Sequence, residues 1–176
     1  MKSKVLVTGS SGFIGKNLIN FLKEKKEFSI VTVSRDDPRL DDNTKNHFQI
    51  SSIGSSTDWS KPLKGVDLVI HLAGIAHRSG TREEYEEINV NGALRVAKQA
   101  IDAQVKRLIY ISSVKVNGEK TYSGKVFKAD DLPNPQDSYA KSKYKVESEL
   151  RRISIDSDLE VVIIRPVLVY GPGVKS

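Results

Sequence analysis

In residues 4–22 a strand pattern, a glycine turn and a helical pattern follow one another with no spacer, and this constrains the fold more than any other feature. Lys4-Val5-Leu6-Val7-Thr8 is a short apolar run of the kind found in strands covered on both faces. Ile14, Leu18, Phe21 and Leu22 then recur at helical spacing. Between the two lies Thr8-Gly9-Ser10-Ser11-Gly12-Phe13-Ile14-Gly15. A helix that begins at such a turn offers backbone N–H groups and the positive end of its dipole, a setting for the diphosphate of a dinucleotide. Gly9 permits the sharp turn, Gly12 lets the backbone approach the phosphates, and Gly15 lets the helix pack closely on the strand. The spacing is Gly-x-x-Gly-x-x-Gly, not the Gly-x-Gly-x-x-Gly of the general dinucleotide fingerprint.

The rest of the chain repeats the alternation. Further strands are expected at Ile30–Val33, Phe48–Ile50, Val66–Leu72, Arg107–Ser112 and Val161–Ile164. A long helix is expected after the fourth strand, with Tyr85, Ile88, Val96, Ala97, Ala100 and Ile101 on one face. Another is expected from about Ser138 to Ile153, with Val146, Leu150 and Ile153 inward. Strands alternating with helices predict an α/β fold, a doubly wound parallel sheet of Rossmann type, in one domain spanning residues 1–176. Asp36–Ser60 is polar and weakly periodic, and Asn117–Pro135 reads as an exposed loop.

Tyr139 and Lys143 stand four residues apart on the expected helix, hence on one face and one turn apart. A free phenol has a pKa of about 10; a nearby ammonium, plus the charge of an oxidised nicotinamide, would favour the phenolate as a general base. Ser112-Ser113 ends the fifth strand, where ligand crevices open in such sheets, and a hydroxyl there can bridge substrate oxygen and phenol. The acid that usually grips the adenosine ribose at the end of the second strand is replaced by Ser34-Arg35. Arg35 would meet a 2′-phosphate, stack on adenine, or pair with Asp36 or Asp37.

These residues resemble the extended short-chain dehydrogenase/reductase family, and within it the NAD-dependent epimerase/dehydratase group acting on nucleotide sugars. The resemblance covers essentially the whole chain. It rests on the glycine turn, on Asp67-Leu68-Val69-Ile70-His71-Leu72-Ala73-Gly74, on Asn89-Val90-Asn91-Gly92, on Ile111-Ser112-Ser113-Val114-Lys115-Val116-Asn117-Gly118, and on Arg165-Pro166 followed by Val169-Tyr170-Gly171-Pro172-Gly173. It selects Ser113 over Ser112 as the catalytic hydroxyl, beside Tyr139 and Lys143. It implies NAD as cofactor, with NADP left open by Arg35. It places Gly9, Gly12, Phe13, Ile14, Gly15, Arg35, Ser52, Ile53, Leu72, Ala73, Gly74, Tyr139, Lys143 and Pro166 against that cofactor. Two departures stand out. Ser51-Ser52-Ile53 occupies the place of the family's usual Asp near the adenine, and Val114-Lys115 replaces the acid pair that many 4,6-dehydratases carry after the hydroxyl residue. The pattern is most similar to bacterial 4-epimerases of UDP-hexoses or of lipid-linked N-acetylhexosamines in surface-polysaccharide pathways.

The resemblance therefore implies C4 epimerisation of a nucleotide-linked sugar through a 4-keto intermediate. An NADPH-dependent sugar-nucleotide reductase or a dehydratase is the alternative, and a non-catalytic dinucleotide sensor or scaffold is an alternative of another class. The family continues past the sixth strand into a smaller substrate-binding domain. This chain stops at Ser176, so a truncated dinucleotide-binding domain, inactive by itself, is expected. His71 reads as a core histidine, and His77-Arg78 as either diphosphate ligands or plain loop. The net charge is +6, but lysines and arginines are dispersed with no basic stripe interleaved with aromatics, so nucleic acid is not expected as a partner. The partner expected is a nucleotide sugar, and a homodimer is compatible with the sequence. There is no cysteine, no cluster with metal-ligand spacing and no membrane-length apolar run; no metal is expected, and a cytoplasmic setting is.

Overall fold

The computed structural model describes residues 2–35, 46–75, 80–171 and 173–174. Six strands, β1 (Ser3–Thr8), β2 (Phe28–Ser34), β3 (His47–Gln49), β4 (Leu68–His71), β5 (Arg107–Ile111) and β6 (Glu160–Ile164), form one sheet. The order is β3-β2-β1-β4-β5-β6 and every pairing is parallel. This is the doubly wound order expected from the alternation of patterns. Its direction reverses between β1 and β4, so a crevice opens at the carboxyl ends of those two strands.

Each strand points alternate side chains to the two faces. Val5, Val7 and Ile70 pack with Ile19 and Leu22 of α1 (Phe13–Lys25) on one face. Leu6, Val31, Val33, Val69, Leu108 and Tyr110 join the larger core on the other, beneath α3 (Gly92–Asp102) and α4 (Ser138–Ile155). α1 ends at Lys26, whose left-handed backbone returns its N–H to the Lys23 carbonyl. α4 starts at Asp137, whose carboxylate accepts the Ala140 N–H at 2.6 Å.

The long helix after β4 differs from the expectation. A short α2 (Arg82–Glu84), closed by a Thr81/Glu84 capping box, runs into a π-helical segment, Tyr85–Asn91, before α3. The wider π turn rotates the face. Asn89 and Val90 are buried, while Ile88 and Ile101 are only half-buried. Trp59, in the weakly patterned stretch, is fully buried, and His47 accepts or donates within hydrogen-bond distance of Thr32 Oγ1 (2.8 Å) and Ser34 Oγ (3.3 Å). No helix among the described residues is long and apolar enough to cross a membrane.

Candidate active site

The glycine turn sits against the exit of β4. Gly9 has φ +69°, and a Cβ on it would stand 2.9 Å from Ala73 N. A Cβ on Gly15 would stand 2.3 Å from the Gly9 carbonyl oxygen, so the first turn of α1 lies directly on the loop. Gly12 is the exposed N-cap of α1, with no side-chain cap and no acid in the first turn. These are the conditions under which a helix terminus accepts an anion, and they fit the diphosphate of a dinucleotide. The Phe13 ring lies 3.7 Å from the Cβ position of Gly171, which brings the segment after β6 back over the turn. Ile14 is at the exposed margin, and Leu72 packs partly buried on the α1 side of the sheet.

The β4 exit connects the turn to the catalytic candidates. A Cβ on Gly74 would meet Asn89 Oδ1 at 2.9 Å and Lys143 Nζ at 3.9 Å. Asn89 is held rigidly: its Oδ1 accepts from Ile75 N (2.7 Å) and its amide donates to Ile75 O and to Ser142 Oγ (3.1 Å each). Lys143 is buried at 6% exposure; its Nζ donates to the Ile111 carbonyl at 2.9 Å and lies 4.8 Å above the Tyr110 ring. Burial draws the ammonium down to about 8, opposed by the Glu147 carboxylate.

Ser113 follows β5 and caps a 3₁₀ turn, Val114–Val116; its Oγ accepts from Lys115 N at 3.2 Å. Pairing continues past the strand end, where Ser112 N donates to Ile164 O (2.7 Å) and Val114 N to Pro166 O (3.0 Å). Pro166 thus fixes the height of the Ser113 turn. Tyr139, in the first turn of α4, shares a hydrogen bond with Ser113 and packs its ring against Tyr85 of the π-helical segment. The structure therefore brings Ser113, Tyr139, Lys143 and Gly74 to one edge, next to the glycine turn.

Burial raises the Tyr139 pKa above its usual value, and the Ser113 hydrogen bond only partly offsets this. The Lys143 ammonium lies 5.8 Å from the Tyr139 ring centroid, with its hydrogen bond given to Ile111 and its charge above the Tyr110 ring.

The adenosine end is sparser. Arg35 is exposed at the carboxyl end of β2, and its carbonyl accepts from Gln49 Nε2 at 3.1 Å. Asp36 and Asp37 lie outside the described residues, as do His77 and Arg78. The Ser52 carbonyl accepts from Thr57 Oγ1 (3.1 Å), and Ile53 packs under Gly92 of α3.

Sequence reasoning missed a buried ion pair beneath the site. Glu147, at 0% exposure, accepts from Ser112 Oγ (2.6 Å) and from two nitrogens of Arg165 (2.9 and 2.6 Å). Arg165 also donates to Asn117 Oδ1 at 3.1 Å. A signal was present: Lys143, Glu147 and Leu150 follow the inner stripe of α4, and an acid on a stripe that faces a core needs a partner.

A doubly wound parallel domain with this glycine turn at the start of its first helix defines a dinucleotide-binding fold. The chain belongs to the NAD dependent epimerase/dehydratase family, which it matches over residues 5–176. It is 44% identical over 181 residues to a UDP-glucose 4-epimerase of Vibrio cholerae, covering 100% of this chain and 55% of that protein. It is 30% identical to the low-salt glycan biosynthesis protein Agl12 of Haloferax volcanii, covering 96% and 57%. Among solved structures it is similar to MoeE5 in complex with UDP-glucose and NAD, with TM-score 0.86 and 30% identity over 98% of this chain and 57% of that one. It is also similar to the UDP-glucuronic acid 4-epimerase of Bacillus cereus in complex with NAD (TM-score 0.83, 26% identity, 96% and 58% covered). The chain spans about half the length of the curated relatives it matches.

Proposed function

We propose that this chain forms the NAD-binding and acid–base part of a 4-epimerase acting on a UDP-linked hexose or N-acetylhexosamine. The observation that carries the reading is the grouping of Ser113 with Tyr139, of Tyr139 with Lys143, and of Lys143 with Gly74 at the exit of β4, the strand beside the glycine turn. The named relatives support the substrate class: a UDP-glucose 4-epimerase in sequence, and UDP-glucose and NAD together in a structure of the same fold.

Gly9, Gly12 and Gly15 give the diphosphate its approach to the N-terminus of α1. Lys143 Nζ holds ribose hydroxyls, a role supported by its position beside the side-chain-free Gly74. NAD, when bound, supplies a hydride acceptor that returns what it takes. Tyr139 Oη removes the proton from the C4 hydroxyl, and Ser113 Oγ orients that hydroxyl and stabilises the phenolate. Burial raises the phenol's pKa, and the positive charge of an oxidised nicotinamide, when bound, would add to the Lys115 charge in favouring the phenolate. Val114 and Lys115 provide no acid for water elimination, which favours epimerisation over dehydration.

The test is in two parts. Calorimetry should show that the chain binds NAD and that Gly12→Ala weakens binding at least about tenfold while leaving the fold intact. The complete product of the gene, incubated with UDP-glucose, UDP-N-acetylglucosamine and UDP-glucuronic acid in turn, should give C4-inverted sugar by NMR. Absence of inversion with all three sinks the epimerase reading. Arg35, exposed where a 2′-phosphate would lie, favours one second reading, a reductase using NADPH. Tighter NADP than NAD binding, with net NADPH consumption, would decide for it.

A further inference from the structure

Two short segments carry the reacting hydroxyls, and one ion pair joins them. Ser113 heads the 3₁₀ turn, and Lys115 lies within that turn. Tyr139 stands in the first turn of α4, and Asp137 caps that helix. Lys115 Nζ donates to Asp137 Oδ2 at 2.7 Å, while Asp137 Oδ1 accepts the Ala140 N–H at 2.6 Å. One carboxylate thus divides its oxygens between the helix bearing Tyr139 and the turn bearing Ser113. Glu119 adds a second, longer contact to Lys115 at 3.3 Å.

We propose that the Lys115–Asp137 pair is a positioning clamp that sets the Ser113–Tyr139 hydroxyl distance; the proposal rests on the reading of those two hydroxyls as the acid–base pair. Stability is a poor explanation of the pair. Lys115 and Asp137 side chains are 37% and 42% exposed, and exposed pairs contribute roughly 0–1 kcal/mol. Direct electrostatics explain it no better. Asp137 raises the Tyr139 pKa and Lys115 lowers it, so the two charges of the pair oppose each other at the phenol. What remains is geometry: Pro166 holds the turn from the side of β6, and the ion pair ties it to the cap of α4, so that without the pair the Ser113 hydrogen bond is expected to lengthen. The other groups facing Tyr139 are Lys143 on its own helix, Tyr85 on the π-helical segment and Tyr110 on β5. None of them touches the clamp among the contacts of the described residues.

The experiment titrates Tyr139 by NMR in protein carrying ring-labelled tyrosine, with Tyr139→Phe assigning the resonance. Lys115→Met/Asp137→Asn removes both charges and keeps a helix cap, since asparagine caps as well as aspartate. The clamp predicts a rise in the Tyr139 midpoint of about half a pH unit, the size of one weakened hydrogen bond. It predicts that this rise disappears in a Ser113→Ala background and that Lys115→Arg keeps the native midpoint. No rise in the double variant, or an equal rise with and without Ser113, overturns the proposal. The titration needs neither cofactor nor sugar, so its failure is separable from failure of the NAD and product assays.

Discussion

At β1 the site is built from backbone, whereas at β5 and β6 it is built from charged side chains. Around the glycine turn the close contacts are carbonyls, amides and missing Cβ atoms: Gly15 against Gly9, and Gly9 against Ala73. Beneath Ser113 the contacts are Glu147 with Arg165 and Ser112, and Lys143 with Ile111 and Tyr110. The difference teaches where tolerance lies. A backbone site fails when a methyl group is added, and a charged site fails when one partner is removed.

The largest effect is expected at Glu147. Glu147→Leu leaves the Arg165 guanidinium, only 11% exposed, without its buried carboxylate, and should cost about 3–5 kcal/mol in urea unfolding. Adding Arg165→Met should recover most of that loss, because a matched apolar pair removes both desolvated charges. Full additivity of the two losses would break the description of this half as a coupled ion pair. On the other side, Gly15→Ala forces a Cβ to 2.3 Å from the Gly9 carbonyl and should cost about 1–3 kcal/mol. A neutral Gly15→Ala would show that the turn yields, and that packing does not set its shape.

The same contrast explains what the sequence made legible. The backbone half announces itself, because glycine spacing between a strand and a helix is a local pattern. The parallel sheet and the turn follow from strand and helix patterns that alternate along the chain. The side-chain half depends on distant pairs. Glu147 meets Ser112 and Arg165 across 35 and 18 residues, and no spacing rule reveals such a meeting. The π-helical segment was hidden because Tyr85–Asn91 carries an ordinary helical composition, and only the burial of Asn89 against Ile75 discloses the extra residue per turn.

Lys143 sharpens the comparison through pH. Its folded pKa of about 8 lies below the free value of about 10.5. The fold therefore disfavours the ammonium; the penalty is present in full below pH 8 and fades as pH rises from 8 towards 10.5. Lys143→Met should make the chain more stable by about 1–3 kcal/mol at pH 7, with the gain shrinking above pH 9, while NAD affinity falls. A destabilised variant at pH 7 would mean that the Ile111 and Tyr110 contacts outweigh burial.

The last expected effect, the one read through pH at the seam, falls on His71, which stands on β4 between the two halves. Thr8 Oγ1 accepts from Ala73 N at 3.2 Å, leaving its own proton for His71 Nδ1 at 2.8 Å. This arrangement favours the neutral ring with its hydrogen on Nε2, and that atom is buried with no partner in the structure. Burial, with the Lys143 charge adding to it, draws the His71 pKa down to about 3 from an unfolded value of about 6.5. The unfolded chain then binds a proton that the folded chain refuses, so stability falls as pH drops from 6.5 towards 3, by up to about 1.4 kcal/mol per pH unit. Carboxylates protonate over the lower part of that range, and the difference between wild type and His71→Gln isolates the histidine. Urea midpoints of the two proteins should converge as pH falls from 7 to 5. Parallel midpoints would mean that β4 admits the charged ring, and that the seam between the backbone half and the charged half is open to water.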